Sequence, residues 1–220
     1  MYGFKIRVKG DYALFSRPEM KVERVSYDVP PPSALVGLIN AVYWHPGVNY
    51  VIDKIYVYNP INFVNIRRNE LSEKLSKSAV TAQMKGKGDA TMYSSEMRTQ
   101  RASMMLKNVD YGVEFHFELG EEAEQDEDKH YNILLRRLRK GQYFHKPCLG
   151  CREFDADVSL VQTLPESSLT GDVDLGYMLY SLEFEKGKGN SYSNCATPRF
   201  YRPHMINGVI DVAEYAKETL

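Results

Sequence analysis

Apolar and polar side chains alternate strictly along residues 108–119, "NVDYGVEFHFEL". The apolar set is Val109, Tyr111, Val113, Phe115, Phe117 and Leu119. A period of two residues is typical of a strand that buries one face and exposes the other. Residues 4–9 alternate in the same way, with Lys5, Arg7 and Lys9 on the polar side. Both segments are therefore predicted strands, and His116 is predicted to project away from the core.

Two other segments have the spacing of amphipathic helices. The first follows three consecutive prolines, where Ser33 can act as the cap, and it buries Leu35, Leu38, Ile39 and Val42. Pro46 and Gly47 should end this helix, which places Tyr43 in its last turn. The second helix is predicted within residues 129–141, "KHYNILLRRLRKG", and Gly141 should end it.

The order of the predicted elements indicates a fold class. Residues 50–59 and 174–185 read as further strands, whereas 72–103 and 186–204 have the composition of loops. A series of strand, helix, strand, strand and helix predicts an α+β fold with a ferredoxin-like domain. We expect this domain over residues 1–142 and a small β-rich domain over residues 143–220.

Net charge hides an uneven distribution along the chain. The formal charge is −1 over 220 residues, yet residues 121–128, "EEAEQDED", hold six acidic side chains and no basic one. Without this segment the remainder carries +5. Basic residues cluster at 66–70, 97–101 and 136–141. Local patches of this kind, and not the net charge, attract phosphate groups.

The cellular class follows from what the sequence contains little of. No apolar run approaches the roughly 18 residues that a membrane span requires, and the N-terminus turns polar too early for a signal peptide. Three cysteines make a disulfide framework improbable. A cytoplasmic protein without a membrane partner is therefore expected.

Cys148 and Cys151 form a CxxC pair, three residues after His145. Structural zinc normally needs four ligands in two close pairs, and only Cys195 and His204 could complete such a set. A redox CxxC should open a helix, whereas "CLGCREF" shows no amphipathic pattern. We expect no metal and no cofactor, although a zinc-dependent or redox-active protein stays an alternative.

Several stretches, taken together and in order, resemble a known family. They are "RPEMKVERVSYDVPPPSALVGLINAVYWHP", "NIRRNE", "LKNVDYGVEFHFEL", "GQYFHKPCLGCREF" and "DLGYML". These stretches are similar to the Cas-five family of CRISPR-associated proteins, in its type I-C (Dvulg, subtype d) form. The resemblance covers about residues 4–185 and implies a RAMP architecture, in which an RRM-like ferredoxin domain precedes a small β-rich part.

The resemblance also implies an activity. Members of this subtype are metal-independent endoribonucleases that cut the repeat hairpin of CRISPR precursor RNA. They then stay on the 5′ handle of the guide RNA with the backbone and large subunits of the surveillance complex. Other type I systems keep their Cas-five protein as a non-catalytic subunit that holds the handle, which is the alternative function.

The family's active site combines a tyrosine, a lysine and a histidine, with the lysine just before the histidine. By resemblance, Tyr43 matches the tyrosine and His116 the histidine, and the two are expected to converge on one ribose–phosphate junction. Glu114 and Phe115 precede His116, so Lys107, or Lys146 beside His145, is the candidate for the lysine. The candidate RNA-binding residues are Arg24, Arg67, Arg68, Arg98, Arg101, Arg136, Arg137 and Lys146.

Overall fold

The computed structural model describes residues 3–20, 22–186 and 192–219. Eleven strands lie in these ranges: β1 (Gly3–Ala13), β2 (Arg24–Val25), β3 (Val48–Val57), β4 (Phe63–Leu71), β5 (Arg98–Leu119), β6 (Asp157–Leu160), β7 (Asp172–Asp174), β8 (Met178–Lys186), β9 (Tyr192–Tyr201), β10 (His204–Ile206) and β11 (Val209–Asp211). The helices are α1 (Pro32–Val42), α2 (Lys77–Met84), α3 (Glu127–Lys140) and α4 (Val212–Tyr215), with a 3₁₀ turn at Ala216–Glu218. None of the described helices is long and apolar enough to cross a membrane.

A large, mainly antiparallel sheet dominates the molecule and confirms the α+β class. Its strand order is β6-β1-β5-β3-β11-β10-β7, and β2 and β4 also pair with β5. Strand β5 is central because it pairs with β1 along one side and with β3 along the other. The strands β8 and β9 form a separate hairpin.

The predicted alternation along β5 matches the observed burial. Val113 and Phe115 are fully buried, and Phe115 pairs with Phe4 of β1, so their side chains share the core face. Helices α1 and α3 cover this face through Leu35, Ile39 and Leu134. Burial of these apolar side chains is the main stabilising contribution to the fold.

The helix ends differ slightly from the prediction. Pro31, and not Ser33, is the N-cap of α1, because Pro32 takes the first helical position, where no backbone donor is required. Helix α1 ends at Val42, so Tyr43 is an extended C-cap residue with φ −145°. Gly141 ends α3 in the left-handed conformation at φ 61°, as predicted.

Two predicted loops contain regular structure. Residues 72–103 include α2 and the first residues of β5. This part of β5 forms a two-stranded ribbon with β4, which pairs from Phe63↔Leu106 to Leu71↔Arg98. Residues 186–204 include β9, part of which lies outside the described side chains. These elements carry weak apolar patterns because a projecting two-stranded ribbon leaves much of its surface exposed, and period-two burial is then faint.

The strands that follow residue 142 join the same sheet as those before it. β6 pairs with β1 at one edge, and β11 pairs with β3 towards the other edge. The division at 142/143 into two domains stays a prediction, since the main sheet is built from both regions.

The joint between Leu14 and the "CLGC" segment yields a stability prediction. Leu14 N–H donates to the Leu149 carbonyl at 3.0 Å. Gly150 has φ +85°, and a Cβ there would lie 2.0 Å from the Leu14 oxygen. Gly150→Ala should therefore lower the free energy of unfolding by about 3 kcal/mol or more, as severe overpacking does. Urea denaturation measures the change.

The matched control is Gly141→Ala. Gly141 also has positive φ, at +61°, but a Cβ there meets open space. This variant should lose only about 1–2 kcal/mol, the cost of a left-handed alanine. Equal losses in the two variants would contradict the proposed close contact.

Candidate active site

A buried hydrogen bond joins the end of α1 to the start of α3. The Tyr43 hydroxyl lies 2.8 Å from Nδ1 of His130, and the two side chains are 5% and 1% exposed. Tyr50 of β3 donates its hydroxyl to the Tyr43 carbonyl at 2.7 Å. The Arg137 guanidinium stacks over the Tyr43 ring, 5.1 Å from its centroid, and donates to the Val42 carbonyl at 2.6 Å. The phenol is therefore held from several elements at once.

The partners of His130 determine where its proton lies. Nε2 is 3.1 Å from the Glu124 carbonyl oxygen, which can only accept a hydrogen bond. A neutral imidazole carries one proton, so that proton sits on Nε2 and Nδ1 is the acceptor. The Tyr43 hydroxyl consequently donates to Nδ1. This arrangement forms a proton path from the phenol to the imidazole.

Charges around the phenol act on its ionisation. Burial raises the pKa of Tyr43 above its ordinary value, while the cations Arg137 and Lys129 lower it and Glu124 raises it. The raised pKa keeps the phenol protonated near neutral pH. Lys129 precedes His130 in the chain, and its hydrogen bond to the Glu124 carboxylate raises the pKa of this amine. An ammonium group thus stands beside the buried pair.

Residues 120–126 overlap the acidic stretch 121–128 and are called here the acidic segment. This segment lies against His130. Its Glu124 contacts His130 through the main chain and Lys129 through the side chain. The segment packs tightly on Gly47, where a Cβ would lie 2.3 Å from the Ala123 nitrogen. Gly120 N–H also donates to the Gly47 carbonyl at 2.7 Å. Because Tyr43 and His130 are almost fully buried, a phosphate group can contact them only after neighbouring parts of the chain have moved.

The structure does not bring Tyr43 and His116 together, so their predicted convergence is wrong. Phe117 of β5 pairs with Tyr50, and both face the core side on which Tyr43 lies. His116 is the neighbouring residue and therefore points to the opposite face of the sheet. There its Nδ1 contacts both oxygens of Asp53, at 2.9 and 3.0 Å. The sheet itself separates the two side chains.

Lys107 cannot assist His116 either. It lies nine residues earlier on β5, which corresponds to about 30 Å of strand. Lys146, the other candidate, forms an ion pair with Asp155. Lys107 therefore lies too far along the strand to complete a site around His116, whereas catalytic roles for His116 and Lys146 stay predictions.

The predicted RNA-binding residues fall into two groups. Some are engaged within the protein: Arg24 and Arg101 contact Glu70, Arg68 contacts Glu153, Lys146 contacts Asp155, and Arg137 stacks on Tyr43. Arg67, Arg98 and Arg136 are exposed. Arg67 and Arg98 lie on the β4–β5 ribbon, whereas Arg136 and Arg137 lie on α3. Their role in RNA binding stays a prediction.

The sequence contains one feature that indicates a functional role for His130. Lys129 and His130 are adjacent, and a lysine just before a histidine is the order that the family resemblance implies. The alternation along residues 108–119, in contrast, predicts only that His116 projects away from the core. Helical periodicity predicts that His130 lies on a helix. No periodic pattern reveals that its ring contacts a tyrosine 87 residues away.

The CxxC pair shows no feature of a functional site. Cys148 and Cys151 are unpaired and partly buried, and burial raises the pKa of the Cys148 thiol, which disfavours the reactive thiolate. The Cys195 side chain lies outside the described residues. Within the described part of the chain, no group of three or more His, Cys, Asp or Glu side chains is arranged to hold a metal ion.

Comparisons with known proteins agree with the resemblance. A family model described as "CRISPR-associated protein (Cas_Cas5)" matches residues 3–213. A protein of Mannheimia succiniciproducens, named "CRISPR pre-crRNA endoribonuclease Cas5d", is 46% identical over 224 residues, covering 97% of this chain and 96% of the relative. A protein of Thermus thermophilus with the same name is 39% identical, covering 96% of this chain and 92% of the relative.

A solved structure shares the fold. A crystal structure described as that of a CRISPR-associated protein superimposes with a TM-score of 0.66 at 25% sequence identity. The match covers 96% of this chain and 91% of the other. The large antiparallel sheet with helices on one face is thus a known arrangement among CRISPR-associated proteins.

The Tyr43–His130 hydrogen bond yields a prediction about the RNA-free chain. Tyr43→Phe should lower the free energy of unfolding by about 1–3 kcal/mol, because the buried Nδ1 loses its donor. Urea denaturation measures this loss. Nitrogen-15 NMR of the unmodified protein should show the His130 proton on Nε2.

Tyr177→Phe is the control, since its ring is 57% exposed. Removing an exposed hydroxyl should change stability by no more than about 0.5 kcal/mol. A His130 proton found on Nδ1, or equal stability of both variants, would contradict the hydrogen-bond assignment.

Proposed function

The chain belongs to the Cas5 family of CRISPR-associated proteins, and we propose that it is an endoribonuclease that cleaves the repeat hairpin of CRISPR precursor RNA. The observation that carries this proposal is the 2.8 Å contact between the Tyr43 hydroxyl and His130 Nδ1, with Lys129 alongside. A phenol, an imidazole and an ammonium group can move the protons and stabilise the charge that develops in RNA cleavage. The names of the two relatives, both pre-crRNA endoribonucleases, support CRISPR precursor RNA as the substrate.

RNA supplies its own nucleophile for this reaction. The 2′-hydroxyl next to the scissile phosphate attacks phosphorus in line, and the bond from phosphorus to the 5′-oxygen breaks. The products are a 2′,3′-cyclic phosphate and a 5′-hydroxyl, so the chemistry requires no metal ion. The protein needs to orient the phosphate, move two protons and stabilise the charge that develops on the phosphorane.

The three side chains divide these tasks. The 2′-hydroxyl gives its proton to the Tyr43 oxygen while the phenol passes its own proton to His130 Nδ1. A relay of this kind suits the raised pKa of Tyr43, since the phenol is neutral before and after the step. Lys129 stabilises the phosphorane and supplies a proton to the departing 5′-oxygen. Exchange with water then restores both groups.

Access to the site requires the acidic segment to move. The phosphate of the RNA would replace the Glu124 carboxylate on Lys129 and uncover His130. A carboxylate resembles a phosphate in charge and in hydrogen-bond acceptors, so the RNA-free contact is a substitute for the bound one. Residues 120–126 are consequently a cover that the substrate displaces.

The strand order supports the finer fold assignment. The neighbours β6-β1-β5-β3, with α1 after β1 and α3 after β5, follow the strand–helix–strand–strand–helix–strand order of a ferredoxin-like domain. Such a sheet can hold the 5′ handle after cleavage and present the guide to the backbone and large subunits of the surveillance complex. The predicted arginines on the β4–β5 ribbon and on α3 would contact the phosphates of the handle.

A second candidate function is a non-catalytic subunit that binds the 5′ handle. One observation favours it: Tyr43 and His130 are almost fully buried in the RNA-free chain. A subunit that only holds RNA would not need to uncover them. Cleavage assays distinguish the two functions directly.

Replacing His130 and His116 in turn distinguishes which of these two histidines is catalytic. His130→Ala should reduce the single-turnover rate of repeat-hairpin cleavage by about 10²–10⁴-fold, the usual contribution of a proton-transferring side chain. His116→Ala should cleave at the unmodified rate, because its ring faces Asp53 on the other side of the sheet. The unmodified protein should cleave equally well in excess EDTA.

A thermal melt of each variant accompanies the assay, since His130 is buried. Loss of cleavage in His116→Ala, with retention in His130→Ala, would assign catalysis to the open face instead. Tight binding without any cleavage by the unmodified protein would support the non-catalytic function.

Neutralising Glu124 tests the displaced cover. Glu124→Gln removes the anion that competes for Lys129, so binding of the repeat hairpin should tighten by up to about fivefold, the equivalent of one surface ion pair. The gain should shrink as salt is raised, because salt screens exposed charges. Fluorescence anisotropy measures both effects.

Glu121→Gln is the matched control, because it changes the net charge equally within the same exposed segment. It should leave affinity close to that of the unmodified protein. Equal tightening by both variants would assign the effect to overall charge and remove the competition at Lys129.

A further inference from the structure

Three large aromatic side chains stand exposed beside the buried pair. Trp44, Tyr143 and Phe144, called here the aromatic rim, are 61%, 52% and 69% exposed. Trp44 directly follows Tyr43 in the chain, and Tyr143 and Phe144 follow the end of α3. Exposed rings of this size are costly to leave in water, so three of them on segments next to Tyr43 and to the end of α3 indicate a binding surface.

The rim is fixed to the element that carries Tyr43. Both Phe144 and His145 donate their backbone N–H groups to the Ala41 carbonyl in the last turn of α1, at 2.9 and 3.0 Å. Gln142 N–H donates to the Arg137 carbonyl at 2.9 Å. The segment that presents Tyr143 and Phe144 is therefore anchored two residues from Tyr43 and on the helix that carries His130.

A cavity lined by Tyr143 of the rim, and by Asp157 among other residues, adds polar groups to the surface. It has a volume of about 150 Å³, and its lining includes Tyr143, Gln142, Arg137 and Lys146 over an apolar floor of Val42 and Leu138. An aromatic wall with a few hydrogen-bonding groups is a usual setting for a planar polar ligand. Arg137 links this cavity to the site, because it also stacks on Tyr43.

The surrounding charge indicates the class of ligand. Arg137, Arg139 and Lys140 occupy the last turn of α3, and Lys146 follows the rim. Planar rings together with cations bind single-stranded nucleic acid, in which bases stack on the rings and phosphates meet the cations. We favour nucleic acid over a protein partner because these rings adjoin the cations of α3 and the proposed RNA-cleaving site.

From these observations we infer that the aromatic rim stacks the unpaired nucleobases that flank the scissile phosphate. The inference rests on the proposed function for the position of the phosphate. Stacking fixes the nucleotide next to the cut and so aligns its 2′-hydroxyl with phosphorus. Trp44, Tyr143 and Phe144 are thus positioning residues, and they take no part in proton transfer.

Binding to three forms of the repeat hairpin tests this inference: one with its natural single-stranded flanks, one with abasic flanks and one without flanks. Trp44→Ala and Phe144→Ala should each weaken binding of the natural form by about fivefold to a hundredfold, the usual effect of losing one stacked base. Both variants should bind the abasic and trimmed forms as the unmodified protein does. Trp44→Phe and Phe144→Tyr should restore most of the affinity.

Tyr177→Ala is the control, because Tyr177 is a similarly exposed aromatic residue outside the rim. It should bind all three RNAs normally. A 2-aminopurine placed at each unpaired flank position should lose fluorescence on binding to the unmodified protein, and less so with the two alanine variants.

The outcomes separate this inference from the proposed function. Normal binding of natural flanks by both alanine variants would overturn the rim as a base-binding surface, and His130-dependent cleavage would still stand. Equal weakening on natural and abasic flanks would overturn it as well, since the rings would then contact the backbone. Ring-dependent quenching without any cleavage would support the rim and contradict the nuclease.

Discussion

The hydrogen bond between Tyr43 and His130 is the contact around which the candidate site is organised. Two polar atoms buried at the junction of α1 and α3 must find partners, because an unpaired buried group is costly. The same constraint applies to the last carbonyls of α1. Arg137 and Tyr50 satisfy those of Val42 and Tyr43, and the peptide groups after α3 satisfy that of Ala41. Closing one helix end thus brings together the Tyr43–His130 pair, the guanidinium and the aromatic rim.

The central sheet separates two groups of polar side chains, one on each of its faces. On the open face, His116 contacts Asp53, and neighbouring residues form ion pairs, such as Lys5 with Glu114 at 3.1 Å and Arg7 with Asp110 at 2.8 Å. On the helix-covered face, His130 meets a phenol. Because strand residues alternate between faces, one position along β5 decides which set a side chain joins. A polar residue on a predicted strand is therefore evidence about its face and not about its role.

Local patterns predicted what depends on neighbours in the chain. The alternation of residues 108–119 and the periodicity of α1 and α3 identified the core strand and both helices, since each pattern reflects burial of one face. The ribbon of β4 and β5 was missed because an exposed hairpin has no buried face to mark it. The pairing of Tyr43 with His130 was missed because it depends on how two helices pack, which no local pattern records.

The acidic segment explains how the proposed nuclease carries almost no net charge. Residues 120–126 lie against Lys129 and His130, so the charge of Lys129 is neutralised by the chain itself. A tethered carboxylate acts at a high effective concentration, and a lone phosphate competes with it poorly. An RNA that makes several contacts at once, with stacked bases and backbone phosphates together, gains enough free energy to displace it. Under the proposed function, this competition would select the hairpin over other RNA, because only the correct RNA offers every contact in one geometry.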